Sequence, residues 1–466
     1  MSRSSALIAL LFLGGCNFSP MRQAPTMNVP PRFKESAGWK VAKPADHRPR
    51  GEWWSLFHDS ELNAIIKNVA VSNQSLQSAA ARAEQSTALL KSAKLAFLPT
   101  ASTAGSFTRS KSGSTGGSTN ANSLNARSAG VSDIQSVSGS MSWEIDLWGR
   151  LRHGAKAATA DSEAALADVE STRLSLQSQA AQTYFSLRAA DAQKELLESE
   201  VANYQKSLEL TRNREAQGIA SKADVAQAQT QLATTRAALI EVGVGRATLE
   251  HALATLTGVP PGGFGVKHGG LAAAIPALPS ATPSTLLERR PDIAGAERRV
   301  AAANERVGAA RAAFFPSVTL SADSGWRGLT NLFSMANNYW SLGADVAEPI
   351  LDSGKRLAQS EQAKATWKET VADYRQTVLT ALQEAEDQIS TLRILAQESV
   401  AQDEAIKAAR ENERIARNQY EAGTLSYLNV AVAQAAALTA ERNAIDLRLR
   451  RLNATAALIK ALGGEW

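Results

Sequence analysis

TRNREAQGIASKADVAQAQ at 211–229 and ARNQYEAGTLSYLNVAVAQ at 416–434 are one pattern written twice. At a constant offset of 205, Arg212 answers Arg417, Asn213 Asn418, Gly218 Gly423, Ser221 Ser426, Val225 Val430, Ala226 Ala431, Ala228 Ala433 and Gln229 Gln434. That makes eight identities in 19 positions, several-fold above chance. Two flanking glycines repeat at the same offset, Gly149 with Gly354 and Gly258 with Gly463. Upstream, Phe97-Leu98-Pro99 answers Phe314-Phe315-Pro316 at an offset of 217, so the first copy holds 12 extra residues between its proline and Gly149. The Ser- and Gly-rich run at 109–118 accounts for them and reads as a flexible exposed loop. The chain is a tandem duplication.

Each copy reads as long helices with a tight turn between them. Residues 154–217 and 356–422 lack proline and are rich in Ala, Leu, Gln, Glu, Lys and Arg, the good helix formers. At 1.5 Å per residue each makes a rod of roughly 95 Å. Each rod ends at a glycine, Gly218 or Gly423, and the chain restarts as helix at an N-cap serine, Ser221 or Ser426. Returning helices are expected at 222–257 and 427–462, and further helices at 60–97 and 291–314. The apolar residues on them are mostly Ala with scattered Leu and Val, which suits close antiparallel packing into a tube.

Near the two prolines the period changes to two. Val137, Met141, Trp143 and Ile145 alternate with serines, Glu144 and Asp146. In the second copy Leu320, Trp326, Trp340 and Leu342 alternate with Thr319, Asp323, Ser341 and Asp345. Segments of about ten alternating residues with Trp near their ends match a transmembrane β-barrel with a wet interior. On that reading Met141, Trp143, Ile145, Leu320, Trp326, Trp340 and Leu342 face the membrane, while Glu144, Asp146, Asp323 and Asp345 face the lumen. Four strands cannot close a barrel, so the barrel must be shared between subunits. A soluble sheet with one face on a core alternates equally well.

The chain has 466 residues, a net charge of +5, 44% hydrophobic residues and a mean hydropathy of −0.20. No apolar run approaches the roughly 20 residues of a spanning helix. Basic and acidic residues are interleaved along the helices, which reads as solvated faces and not as a nucleic-acid surface. Glu384, Glu386 and Asp387 belong to such a face. The five histidines have no metal-ligand spacing, and no candidate nucleophile or paired acid and base stands out, so neither an enzyme nor a metal site is expected.

The single cysteine, Cys16, follows Arg3, an apolar stretch and Leu13-Gly14-Gly15. That is a secretory signal peptide whose cut falls before the thiol. The tetrad resembles the bacterial lipobox, which implies a covalent lipid with palmitate-type acyl chains on Cys16, the only cofactor expected. Several buried acyl chains, at about 0.8 kcal/mol per CH₂, hold a protein durably. Asn17 after the cysteine favours the outer membrane by the same resemblance.

Together these residues resemble the TolC-like outer-membrane factors, most closely the OprM-like lipoprotein branch serving resistance-nodulation-division pumps. The resemblance spans the mature chain. It rests on Trp53-Trp54-Ser55-Leu56-Phe57 with Asp59-Ser60-Glu61-Leu62, the two Pro landmarks, Trp143-Glu144-Ile145-Asp146-Leu147-Trp148-Gly149-Arg150, and Tyr420-Glu421-Ala422-Gly423 with Ala433-Gln434. It implies a mainly α fold with a transmembrane β portion, forming as a homotrimer a 12-stranded β-barrel and a 12-helix α-barrel. An equatorial collar would come from 35–54, 260–283 and the C-terminus. The resemblance further implies a passive efflux duct with no nucleic-acid partner. A periplasmic adaptor would dock at the helix tips, Gly218, Ser221, Gly423 and Ser426. The periplasmic gate would involve Leu428 and Val432, with Asn429 where the family carries an acid, and Asp224 in the first copy. Asp224 could equally stabilise its own helix N-terminus.

The domain reading is a signal peptide at 1–15, a lipidated extended segment at 16–59 and a first repeat at 60–258, with its β-hairpin at 100–148 and its helix hairpin at 150–257. An equatorial linker follows at 259–285, then a second repeat at 286–466, with hairpins at 317–350 and 355–462. Two other readings stay open: the duct of a type I protein secretion system, and a lipid-anchored structural coiled coil with no pore.

Overall fold

The computed structural model describes residues 51–111, 131–271, 275–276, 289–329 and 331–464. The signal peptide, Cys16, the extended segment before residue 51, most of the loop containing Arg127, and parts of the linker lie outside the described residues.

The elements repeat in length as well as in sequence. The first copy runs α1 (Ser60–Ser72), α2 (Gln74–Leu95, 22 residues), β1 (Thr100–Lys111), β2 (Val131–Ile145), α3 (Arg150–Ala216, 67 residues) and α4 (Lys222–Leu256, 35 residues). The second runs α5 (Pro291–Ala312, 22 residues), β3 (Ser317–Gly328), β4 (Asn338–Ala347), α6 (Lys355–Glu421, 67 residues) and α7 (Tyr427–Ala461, 35 residues). Both sequence offsets hold at the element boundaries: Gln74 and Pro291, like Thr100 and Ser317, are 217 apart. All six landmark glycines have φ between 72° and 92°, the left-handed region that side chains resist.

The helix expected over 60–97 is broken at Asn73, which has ψ 124°. Its side-chain oxygen accepts from the Leu76 amide, which caps α2, and its Nδ2 donates to the Leu256 carbonyl at 2.8 Å. The chain crosses closely there, since a Cβ on Gly258 would meet the Ser72 carbonyl oxygen at 2.3 Å. In the second copy Arg290 donates to the Ala461 carbonyl at 3.2 Å, and Gly463 lies against the Arg289 carbonyl. One crossing is thus built twice, with different donors.

The described chain divides into two compact units. One is built from Glu84–Glu163 and Arg298–Ala372, the other from the described part of Thr26–Ala83 with Ala164–Glu297 and Asp373–Trp466. The first unit holds a single antiparallel sheet, ordered β1-β2-β3-β4, in which β2 and β3 join the two repeats. Landmark aromatics fasten the strand ends. Trp143 donates to the Phe97 carbonyl at 2.8 Å, Trp148 donates to the Pro316 carbonyl at 2.7 Å, and Trp148 stacks on Phe315.

In the second unit the 3₁₀ turn Trp53–Phe57 buries Trp53, Trp54 and Phe57. They pack with α1, with Tyr184 and Phe185 of α3, and with Leu452, Ala456 and Ile459 of α7. Asp59 caps α1 and accepts from the Tyr184 hydroxyl at 2.6 Å; Glu61 accepts from Arg188. Burial, then the hydrogen bond to Asp59, push the Tyr184 pKa upward, so its proton stays in place. Asp191 accepts from Arg188, Arg246 and the Gly269 amide and pairs with His268, which pins the linker to α3 and α4.

Candidate functional site: sheet faces and helix tips

Alternation sorts the sheet residues to two faces, and the register fixes which residues share one. Trp143 pairs with Leu320 and Leu320 with Ala344; Met141 pairs with Ala322 and Ala322 with Leu342; Val137 pairs with Trp326; Ile145 pairs with Val318. Met141, Trp143, Ile145, Leu320, Trp326, Trp340 and Leu342 therefore lie on one face. Trp340 is 72% exposed and Leu342 75%, so nothing described covers that face there.

The opposite face is a field of hydroxyls. Ser102 bonds Ser140 at 2.7 Å, Ser106 bonds Ser136 at 2.8 Å, and Ser110 bonds Ser132 at 3.1 Å. Glu144, Asp323 and Asp345 share this face, with Ser321 donating to Asp345 at 3.3 Å. Both Glu144 oxygens accept from Arg150, through its Nη2 and Nε. The expected fourth carboxylate does not join them. Asp146 lies beyond the end of β2, where its oxygens accept from the Leu151 and Arg152 amides and from Arg152 Nε, capping α3. Asp352 does the same for α6 through the Gly354 and Arg356 amides, and the Arg356 hydrogen bonds hold its carboxyl below the usual carboxylate range.

At the helix tips the two repeats diverge in chemistry. Gly218 and Gly423 close the long helices with matching bonds, Ile219 N–H to the Arg214 carbonyl and Thr424 N–H to the Gln419 carbonyl. In the first tip Ser221 and Asp224 form a complete capping box: the Ser221 hydroxyl accepts from the Asp224 amide, and the Asp224 carboxylate accepts from the Ser221 amide. Asp224 thus does the work of a cap. In the second tip Ser426 makes no side-chain cap bond to the backbone, and Asn429 instead donates to the Ser426 hydroxyl at 3.0 Å. Leu428 and Val432, one turn apart, are 57% and 62% exposed, while Tyr427, Val430 and Ala431 on the other side of α7 are buried. Gly218, Ser221, Gly423 and Ser426 are all exposed.

Beneath the tips lies a small core with Tyr204, Leu208, Ala228, Leu232, Tyr420, Tyr427 and Val430. Arg214 sits over the Tyr420 ring at 4.9 Å and donates to the Glu421 carbonyl, and the Tyr420 hydroxyl donates to Thr211 at 3.2 Å. Burial pushes the Tyr204 and Tyr427 hydroxyls up to about 12. The role of these residues escaped the sequence reading, although Tyr420 stands in a recognised motif and Thr211 at the head of the repeat. Also unforeseen is an ionic knot across three helices. Arg410 pairs with Glu441 of α7, with Glu413 of α6 at 3.4 Å and with Glu200 of α3 at 3.5 Å. The Glu200 and Glu413 side chains are only 4% and 6% exposed. Burial first, then the neighbouring Glu413 charge, raise the Glu200 pKa. Glu384, expected to be solvated, pairs with buried Arg290 at 2.8 Å.

Known proteins place this architecture. The outer membrane efflux protein family matches residues 65–259 and again 282–464, once in each repeat. The antibiotic efflux pump outer membrane protein ArpC of Pseudomonas putida is 30% identical over 99% of this chain and 95% of its own. The pyoverdine export outer membrane protein OpmQ of Pseudomonas aeruginosa is 31% identical over 100% of this chain and 97% of its own. The solved structure of the outer-membrane channel OprN, 29% identical, superposes with a TM-score of 0.85 over 97% of this chain and 100% of that one. The fold is that of the TolC-like outer-membrane channels. The chain belongs to the outer membrane efflux protein family, a family of ducts, and is the outer-membrane component of an efflux pump.

Proposed function

We propose that three copies of this chain close one 12-stranded barrel and one 12-helix tunnel, a passive exit for small toxic molecules. The observation that carries this reading is the sheet itself. Its apolar face is bare, and β1 and β4 each keep one edge unpaired among the described residues. In hydrocarbon an open edge costs several kcal/mol per unsatisfied group, so edges must meet edges of further copies. The hydroxyl face then lines water, and Asp323 and Asp345 from each copy lower the energy of cations inside.

The chain carries no energy source of its own on this reading. An inner-membrane pump of the resistance-nodulation-division class supplies it, and a periplasmic adaptor engages the tips at Gly218, Ser221, Gly423 and Ser426. Leu428 and Val432, with no acid at Asn429, form an apolar plug that the adaptor opens. A lipid on Cys16 anchors the mature N-terminus in the outer membrane. The first test is deletion of the gene, followed by intracellular accumulation of a panel of dyes, antibiotics and metal ions, with plasmid rescue. Accumulation of small solutes, reversed by the plasmid, is expected. An exported protein trapped inside, with no change in small solutes, would assign the duct to type I secretion instead.

A further inference from the structure

On the apolar face of β1, the series Ala101, Thr103, Gly105, Phe107 continues into Arg109 and Lys111. The register ranks their heights. Ile145 marks the end of β2 nearest α3, and Phe107 pairs with Gln135, ten residues along the strand. Ten residues span roughly 33 Å, which a tilt of about 40° turns into roughly 25 Å of height. That is the height of the apolar band of an outer-membrane barrel, bounded by aromatic girdles. Trp143 stands near one border, and Trp326, paired with Val137, stands with Phe107 at the other. Arg109 and Lys111 are the next two residues on the same face, just outside the band, and both are exposed. Among the described residues their one acidic neighbour is Asp133, 3.5 Å from Arg109 Nε. No hydrogen bond forms at that distance, so the guanidinium fork stays open to a second anion.

We propose that Arg109 and Lys111 bind the phosphate groups of a lipid A-type glycolipid in the outer leaflet. The proposal rests on the reading that the apolar face meets lipid. A phosphate at headgroup level would meet a bidentate fork and a point charge side by side, while its acyl chains lie along Phe107, Trp326 and the apolar band below. Arg327 provides an internal comparison. It pairs with Ser136, three residues along β2 from Asp133, the partner of Arg109, and lies on the hydroxyl face.

The test is native mass spectrometry of the purified full-length protein with bisphosphorylated lipid A and with its dephosphorylated form. Phosphorylated lipid A is expected to bind more tightly. The double variant Arg109→Gln with Lys111→Gln should weaken it by about fivefold per cation removed. Arg327→Gln should leave binding unchanged, and Asp133→Asn should tighten it. Equal binding by the double variant, equal loss with Arg327→Gln, or indifference to the phosphates would each overturn the proposal. Nitroxide labels at Leu342→Cys and Ser341→Cys test the underlying reading separately. Leu342→Cys should be accessible to oxygen and Ser341→Cys to a water-soluble nickel complex. Water access at Leu342→Cys would sink the lipid-facing assignment itself; lipid access there with unchanged affinity of the double variant would sink only the headgroup site.

Discussion

Glu200 shows how a single buried charge decides a pH response. A carboxyl whose pKa is raised in the folded chain keeps its proton to a higher pH than it does unfolded. Folding is therefore favoured below the ordinary Glu range, and that advantage is lost as pH rises through the raised value. Glu200, buried beside Glu413 and Arg410, should therefore favour the packing of α3 against α6 more in acid than at neutrality. Glu200→Gln should raise the melting temperature at pH 7 and flatten its dependence between pH 4 and 8. A lower melting temperature at pH 7 would mean that attraction to Arg410 outweighs burial. No sequence pattern announced this knot, because its members come from three helices and meet only through side-chain packing. Asp146 was misjudged for a related reason. Period two marks it as a lumen residue, but β2 ends one residue earlier and the carboxylate turns to the orphan amides of α3.

Among the elements, the repeats were the most legible feature. Offsets of 217 and 205, read from prolines and glycines, give the starts of α5, β3, α6 and α7 from those of α2, β1, α3 and α4. The break at Asn73 was legible too, since Pro291 marks the same boundary 217 residues on. It was overlooked because asparagine within a helix-forming run is a weak stop signal. At the tips, removing the capping box by Ser221→Ala should cost about 1 kcal/mol locally. That would speed hydrogen exchange of the first-turn amides of α4 by about fivefold, read by mass spectrometry. Ser426→Ala, which removes no cap bond to backbone, should change exchange in α7 far less. Gly423→Ala forces a side chain into φ 80° and should cost about 1–2 kcal/mol, with faster exchange in the last turn of α6.

For the whole molecule, the apolar stripe at the second tip yields a prediction about leakage. If Leu428 and Val432 plug the tunnel, Leu428→Ser with Val432→Ser should raise single-channel conductance in a planar bilayer severalfold and admit a large antibiotic in cells. Both residues are exposed on the single chain, so the substitutions should leave its folding intact. Unchanged conductance would move the gate elsewhere, with the Tyr420, Arg214 and Thr211 contacts as the next place to cut. The absence of any wild-type conductance would revive a structural coiled coil. The ion preference follows from the hydroxyl face: Asp323→Asn with Asp345→Asn should reduce any preference for cations.

The edges of β1 and β4 that stay unpaired among the described residues carry a kinetic corollary. A lone chain entering hydrocarbon would drag two rows of bare amides and carbonyls with it, so insertion has to wait for companions. The yield of inserted protein should then climb more steeply than linearly with the amount synthesised. A scarce chain, or one mixed with an edge-damaged variant, would linger in the periplasm as prey for proteases.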